Sequence, residues 1–224
     1  GRREANRSIE TLKRNQLMPI HPAFRAYLDE LNPLVAQSKI EKVQATPESA
    51  RAALAGLNRF VADPAPITQV FDTTIGYLDA DITVQVPVRV YVPRPDVASD
   101  VVFFVHGGGH MSGDLDVYDF SARRTAQATG MVVVSVDYRR SPEATFPSGL
   151  TDTYQALKHL DQALAGVATT GHIHAMGDSG GAAKLASIAM RVAAGEWSSP
   201  IERQVLLYPS LDYTLSGASV KQFG

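Results

Sequence analysis

His172-Ile173-His174-Ala175-Met176-Gly177-Asp178-Ser179-Gly180-Gly181-Ala182-Ala183-Lys184-Leu185 is the stretch whose reading decides the fold. Its first residues form a short strand over 173–176, and Ala182 to Ala194 is an alanine-rich run of helical character. Between them stands Gly-x-Ser-x-Gly. A serine at such a join occupies a sharp strand-to-helix turn, and the residues two before and two after it pass too close to neighbouring backbone to carry side chains. Gly177 and Gly181 meet that demand. The helix that starts at Gly180 aims its unpaired N–H groups and positive dipole end at the serine.

A second glycine-rich segment, His106-Gly107-Gly108-Gly109, follows the apolar strand Val101-Val102-Phe103-Phe104-Val105. Three glycines let the chain bend close to a reacting group and offer backbone N–H donors to it. A serine hydroxyl is a poor nucleophile until it is presented sharply and deprotonated by a neighbour. The two motifs together suit acyl transfer, with Ser179 presented on the elbow and the glycine loop holding an oxyanion. Phosphate binding is the competing reading of a glycine loop, but Gly-x-Gly-x-x-Gly and Gly-Lys-Ser/Thr are both missing. If the two strands are adjacent and parallel, both loops leave the sheet at its carboxyl end, where open α/β sheets bind ligands.

Working outward, Val101–Val105 and Met131–Val136 are continuous apolar runs, the pattern of parallel strands covered on both faces. A helix spans roughly Val117 to Thr129 and is closed by Gly130, and another carries Leu150, Tyr154, Leu157, Leu160 and Leu164. Val205-Leu206-Leu207-Tyr208 is a further strand. Upstream, Ile82, Val84, Val86, Val88, Val90 and Val92 alternate with more polar residues, as in a half-buried strand. Pro87 cannot donate to a ladder, so this strand is expected at an edge or a bulge. The fold class is therefore α/β, a doubly wound and mostly parallel sheet.

Residues 1 to about 60 read as helical. Leu28, Leu31, Leu34 and Val35 form a stripe behind Pro22. A second helix opens with Thr46 as N-cap and Pro47 in its first turn. Asp63-Pro64-Ala65-Pro66 punctuates the chain, dividing an N-terminal helical region, 1–62, from the core, 63–224.

Composition sets outer limits. The 224 residues are 45% hydrophobic and 20% charged, as in a globular protein with a full core. A net charge of −2 and a pI near 6.3 give no electrostatic reason to expect nucleic acid or an anionic membrane as partner. The longest apolar runs are strand-sized, so no membrane span is expected. Without cysteine there is no disulfide, thiolate metal site or redox switch, and the compartment stays open, with the cytoplasm as the default. The start lacks an apolar secretory core and an initiator Met, which suggests a trimmed beginning.

Several spaced segments carry a resemblance. They are His106 to Gly109, Val136-Asp137-Tyr138-Arg139-Arg140-Ser141-Pro142-Glu143 with Phe146-Pro147, Gly177 to Gly181, and Tyr208-Pro209-Ser210-Leu211-Asp212. From roughly residue 20 to the last residue, the chain resembles the hormone-sensitive-lipase family, the GDXG esterases of the α/β-hydrolase superfamily. The resemblance implies an N-terminal helical cap and hydrolysis of small carboxylic esters, usually with short acyl chains, without a cofactor. It also implies Ser179 as nucleophile and the amides of Gly108, Gly109 and Gly180 as the oxyanion hole. The chain departs from the pattern at Gly180, where alanine is usual, at Ala182 for glycine, and at Arg140-Ser141 for Leu-Ala. His110 stands where the family prefers a bulky aromatic and would make the acyl pocket more polar.

Other residues carry plainer readings. His106 is a hydrogen-bonding brace for the oxyanion loop, Asp178 a polar elbow residue, and Glu143 an anchor for the Ser-Pro-Glu turn rather than a catalytic acid. His172 and His174 share a strand face as packing residues, and no metal site is read from the sequence. Asp114-Leu115-Asp116-Val117-Tyr118-Asp119 lacks the glycine turn and distal glutamate of a calcium loop.

No histidine follows Ser179, and the later carboxylates are only Glu196, Glu202 and Asp212. The family order places acid and base after the nucleophile, so both are expected beyond Gly224, with C-terminal strands missing from this chain. Val205–Tyr208 would then be an exposed sheet edge, to be covered by further polypeptide or by another copy. The rivals to an esterase are a small-ligand receptor that keeps the pocket and loses the base, and an inactive fragment.

Overall fold

Strands β3 (Ser99–Val105) and β4 (Val132–Val136) are apolar at nearly every position because both faces of their sheet are covered. Val101, Phe103 and Val105 join Leu150, Leu157, Leu185 and Ile188 in one core cluster. Val102, Phe104 and Val133 point the other way, onto Ala122 and Ala126. The helices behind these layers are α3 (Asp119–Thr129) on one face, and α4 (Ser148–Lys158) and α5 (Ser179–Ala193) on the other. Each large side chain buried this way contributes about 1.5–3 kcal/mol.

The computed structural model describes residues 20–41, 46–61 and 63–223. The helical reading of 1–19 and 42–45, like the exact boundary residue 62, lies outside them. The sheet has six strands in the order β1-β2-β4-β3-β5-β6. The remaining strands are β1 (Gln69–Asp79), β2 (Ile82–Val92), β5 (Thr169–Asp178) and β6 (Ile201–Leu207). β4, β3, β5 and β6 run parallel, while β2 pairs antiparallel with both β1 and β4. The expected doubly wound, mostly parallel sheet is present. β3 and β5 are neighbours, so the loops that follow them leave the sheet side by side.

The edge position expected for Pro87 is wrong, since β2 is an interior strand. Pro87 lies opposite Thr74 in the β1–β2 register, and its carbonyl accepts the Asp137 amide at 2.9 Å. In an extended residue the N and C=O point to the same side, so the missing donor falls where β4 has already ended at Val136. The edges are β1 and β6, and Val205 of β6 is 53% exposed.

Contacts divide the chain into residues 1–45 and 46–224. The first unit holds α1 (Pro22–Glu41), in which Leu34 and Val35 are exposed. The second holds the sheet and also α2 (Pro47–Gly56), which is followed by a 3-10 turn, Leu57–Phe60. α2 begins with a reciprocal cap: the Ser49 amide donates to Thr46 Oγ1 at 3.2 Å and the Thr46 amide to Ser49 Oγ at 2.9 Å. Gly130 closes α3 in the left-handed conformation, as expected. Among the described residues no helix is long and apolar enough to cross a membrane.

One buried polar knot ties the outer strands to the loop after β4. Asp152 of α4 is fully buried and accepts from the Tyr77 hydroxyl at 2.6 Å, the Arg139 amide at 2.8 Å and the Arg139 guanidinium at 2.8 Å. Removing Asp152 leaves the Tyr77 hydroxyl and the Arg139 amide without their acceptor, which costs about 1–3 kcal/mol, whereas the Arg139 guanidinium is 39% exposed and keeps Asp79 at 3.6 Å. Asp152→Ala should show that loss in denaturant unfolding. A loss below about 1 kcal/mol, the range of an exposed pair, would show that the knot carries little.

Candidate active site

The elbow between β5 and α5 forms as the sequence pattern requires. Asp178 is extended (φ −120°, ψ 149°), and Ser179 then takes a φ of 45°, a left-handed conformation that non-glycine residues rarely adopt. A built Cβ at Gly181 would lie 2.1 Å from the Val105 carbonyl oxygen, so only glycine lets α5 start this close to β3. Ser179 is half-buried, and its hydroxyl has no hydrogen-bond partner among the described residues.

Asp178, read as a merely polar elbow residue, has a definite task. It does not cap α5. Its Oδ1 accepts the Gly107 amide at 2.8 Å, and its Oδ2 accepts the Tyr118 hydroxyl at 3.0 Å. A Cβ at Gly107 would sit 2.4 Å from Oδ2, so the clamp closes only on glycine. Burial and the Asp178 charge hold the Tyr118 phenol well above its ordinary pKa, so it remains a donor to that carboxylate.

The glycine loop is folded on itself. The Gly108 carbonyl accepts the amides of Met111 (3.2 Å) and Ser112 (2.8 Å), and the amides of Gly108 and Gly109 have no partner among the described residues. The Gly180 amide lies in the first turn of α5, where no carbonyl of the preceding turn can serve it. His110 bridges the two segments: a Cβ at Gly180 would be 3.1 Å from His110 Cε1 and 3.4 Å from its backbone N. Gly180 in place of the family's alanine therefore makes room for the His110 ring.

His106 is fully buried and stacked on Tyr138, ring centroids 4.4 Å apart. Its Nδ1 donates to the Gly107 carbonyl at 2.8 Å, and the Tyr138 hydroxyl donates to the His106 carbonyl at 2.8 Å. Glu143 receives a bidentate pair from Arg51 of α2, at 2.8 and 2.7 Å, and Arg51 Nε also donates to the Met111 carbonyl. That pairing holds the Glu143 carboxyl down at about 2. Gly177 lies at the end of β5 against Val105 and α5.

Sequence reading missed Arg51, Tyr118, Tyr138, Lys184 and Tyr213. Only Lys184 left a local signal, a lone cation between Gly180, Gly181, Ala182, Ala183 and Leu185, all of them buried. Lys184 is 6% exposed, its Nζ lies 3.8 Å from the Tyr138 ring centroid and 2.7 Å from His110 Nδ1, and His110 Nε2 reaches the Tyr213 hydroxyl at 2.7 Å. Burial pushes the Lys184 amine down to about 7. Burial and the Lys184 charge also push the His110 imidazole below its usual value.

Two cavities flank this group. One, about 620 Å³, is lined by Ser179, Gly108, Tyr118 and Tyr208, with Leu54 and Leu57 from α2 and its following turn. The other, about 360 Å³, is lined by His110, Lys184 and Tyr213 together with Phe146, Leu150 and Ser187.

Comparison with known proteins agrees with this geometry. Residues 102–223 match the profile of a family described as alpha/beta hydrolase fold. Carboxylesterase NlhH of Mycobacterium tuberculosis is 34% identical over 161 residues, covering 70% of this chain and 48% of that protein. The ethyl acetate hydrolase of Pseudomonas putida is 32% identical over 142 residues, 62% of this chain and 45% of that protein. The chain thus spans about half the length of these relatives. Among solved structures, a hyperthermophilic esterase of the archaeon Pyrobaculum calidifontis superposes with a TM-score of 0.69 at 32% identity, covering 90% of this chain and 62% of that one.

The state of Lys184 is directly measurable. Its folded pKa lies below its unfolded one, so between about pH 7 and the ordinary lysine range the unfolded chain binds more protons. Stability must therefore rise with pH across that window, by up to about 1.4 kcal/mol per pH unit. Unfolding at pH 7 and pH 9 should show this slope in the intact protein and not in Lys184→Met. Equal slopes in the two would show an amine that titrates normally.

Proposed function

Because the chain belongs to the alpha/beta hydrolase fold family, we propose that it hydrolyses carboxylic esters with short acyl chains by nucleophilic attack of Ser179. The observation that carries this reading is Ser179 itself, a non-glycine residue at φ 45° at the head of α5, with an unbonded hydroxyl lining a cavity of about 620 Å³. Strain of that kind costs about 1–3 kcal/mol and collects at functional sites. The names of the carboxylesterase and ethyl acetate hydrolase relatives support the substrate class.

In this reading Ser179 Oγ attacks the ester carbonyl carbon, and the carbonyl oxygen becomes an oxyanion. The amides of Gly108, Gly109 and Gly180 receive it, and losing one such donor typically costs about 2.7–4 kcal/mol. Collapse expels the alcohol and leaves an acyl group on Ser179, which water then removes. Asp178, Gly107, Gly177, Gly181 and His106 hold the two loops in place. Glu143 holds the end of the glycine loop through Arg51. α2 and the turn after it act as a cap, with Leu54 and Leu57 walling the Ser179 cavity.

Proton transfer needs a base. His106 is fully buried, with Nδ1 bonded to the Gly107 carbonyl, and His110 is bonded at both ring nitrogens. In this reading the acid and base are groups that the described residues do not bring to Ser179. The absence of a base on Ser179 among the described residues favours one second reading, a small-ligand receptor on the same fold. One assay separates the two. The intact protein should release nitrophenol from 4-nitrophenyl butyrate, and Ser179→Ala should lower kcat/KM by about 10⁴-fold or more. Retained turnover in the variant would remove Ser179 as nucleophile, and no turnover in the wild type would favour the receptor.

A further inference from the structure

Lys184 is a buried amine without an anion. Its amine makes one hydrogen bond, to His110 Nδ1, and lies over the Tyr138 ring, and no carboxylate of the described residues pairs with it. An ammonium has three N–H donors and no acceptor. With Lys184 protonated, His110 Nδ1 accepts and the ring proton sits on Nε2, which donates to the Tyr213 hydroxyl oxygen. The Tyr213 proton is then free to point elsewhere. Three groups thus form a chain of donors along one side of the 360 Å³ cavity.

The other polar side chains of that cavity already have partners. The Arg139 guanidinium is bound to Asp152, the Ser187 hydroxyl donates to the Ala183 carbonyl, and the Ser141 hydroxyl donates to the Ala144 carbonyl. Phe146, Pro147 and Leu150 make much of the remaining wall apolar. An apolar cavity with a few convergent donors and a buried amine lacking a carboxylate partner suits an anion on a short hydrocarbon stem.

We propose that this cavity binds a carboxylate of the substrate on Lys184 and Tyr213, making the preferred substrates monoesters of short dicarboxylic acids. Lys184 lies five residues after Ser179 on α5, about 7.5 Å along the axis, and Gly180, next to Ser179, faces the His110 ring of this cavity. His110 acts as a positioning residue, turning Lys184 and Tyr213 toward the same anion. The ester part rests on the hydrolase reading above, whereas the anion site stands on the cavity alone.

The test pairs turnover with binding, using the intact protein. Turnover compares the 4-nitrophenyl monoester of glutaric acid with the neutral 4-nitrophenyl pentanoate. The wild type should favour the charged ester by about tenfold in kcat/KM, and Lys184→Met should lower that ratio by at least about tenfold. Calorimetric titration with glutarate should give binding to the wild type that Lys184→Met loses, with thermal melting to establish that the variant is folded. Preference for the neutral ester, with a ratio unchanged in Lys184→Met, would overturn the proposal. If neither ester is cleaved, the hydrolase reading fails and glutarate alone decides the anion site. Lys184-dependent binding then supports it, and equal or absent binding in both proteins overturns it.

Discussion

The Asp178 carboxylate is the constraint on which the rest of the site depends. One of its oxygens holds the amide of the first loop glycine and the other holds Tyr118, so the elbow after β5 and the loop after β3 cannot separate. A charge-assisted bond to a buried amide is about twice as strong as a neutral one, and nothing else within the elbow could replace it. Because this carboxylate faces sideways into the neighbouring loop, α5 starts without a side-chain cap. The first amides of that helix stay open at the place where Ser179 stands.

The left-handed Ser179 persists because its surroundings leave it no alternative. β5 is locked between β3 and β6, α5 packs Leu185 and Ile188 into the core, and glycines at 177 and 181 admit the backbone contacts. The strain in one residue is thus met by packing spread over one helix and three strands. The same closeness explains the pairing of Gly180 with His110. A methyl at 180 would press on the imidazole, and the imidazole in turn is what Lys184 bonds.

Much of this was legible locally. Strands covered on both faces show as unbroken apolar runs, and Gly130, Thr46 and Gly-x-Ser-x-Gly each mark a turn whose backbone demands them. β1 was not singled out, because Asp72-Thr73-Thr74 interrupts its apolar alternation and its buried residues, Ile75 and Tyr77, join a core cluster that includes distant α4. Pro87 misled because one missing donor was equated with an edge, when a neighbour that stops early satisfies the same condition. The site's supports were illegible for a different reason. Tyr118 meets Asp178 across 60 residues and Arg51 meets Glu143 across 92, and no short pattern encodes such pairings. Lys184 could be flagged as out of place in a buried face, but its partners His110 and Tyr213 come from the topology.

The central claim is that Ser179 and the amides of Gly108, Gly109 and Gly180 address one reacting carbon. It is tested most directly by a crystal structure of the protein after reaction with a 4-nitrophenyl alkylphosphonate, whose phosphorus mimics the tetrahedral intermediate. Phosphorus should be bonded to Ser179 Oγ, with one phosphonyl oxygen about 2.7–3.1 Å from those amide nitrogens. Phosphorus on another side chain, or on Ser179 with its oxygen turned away from all three amides, would contradict it.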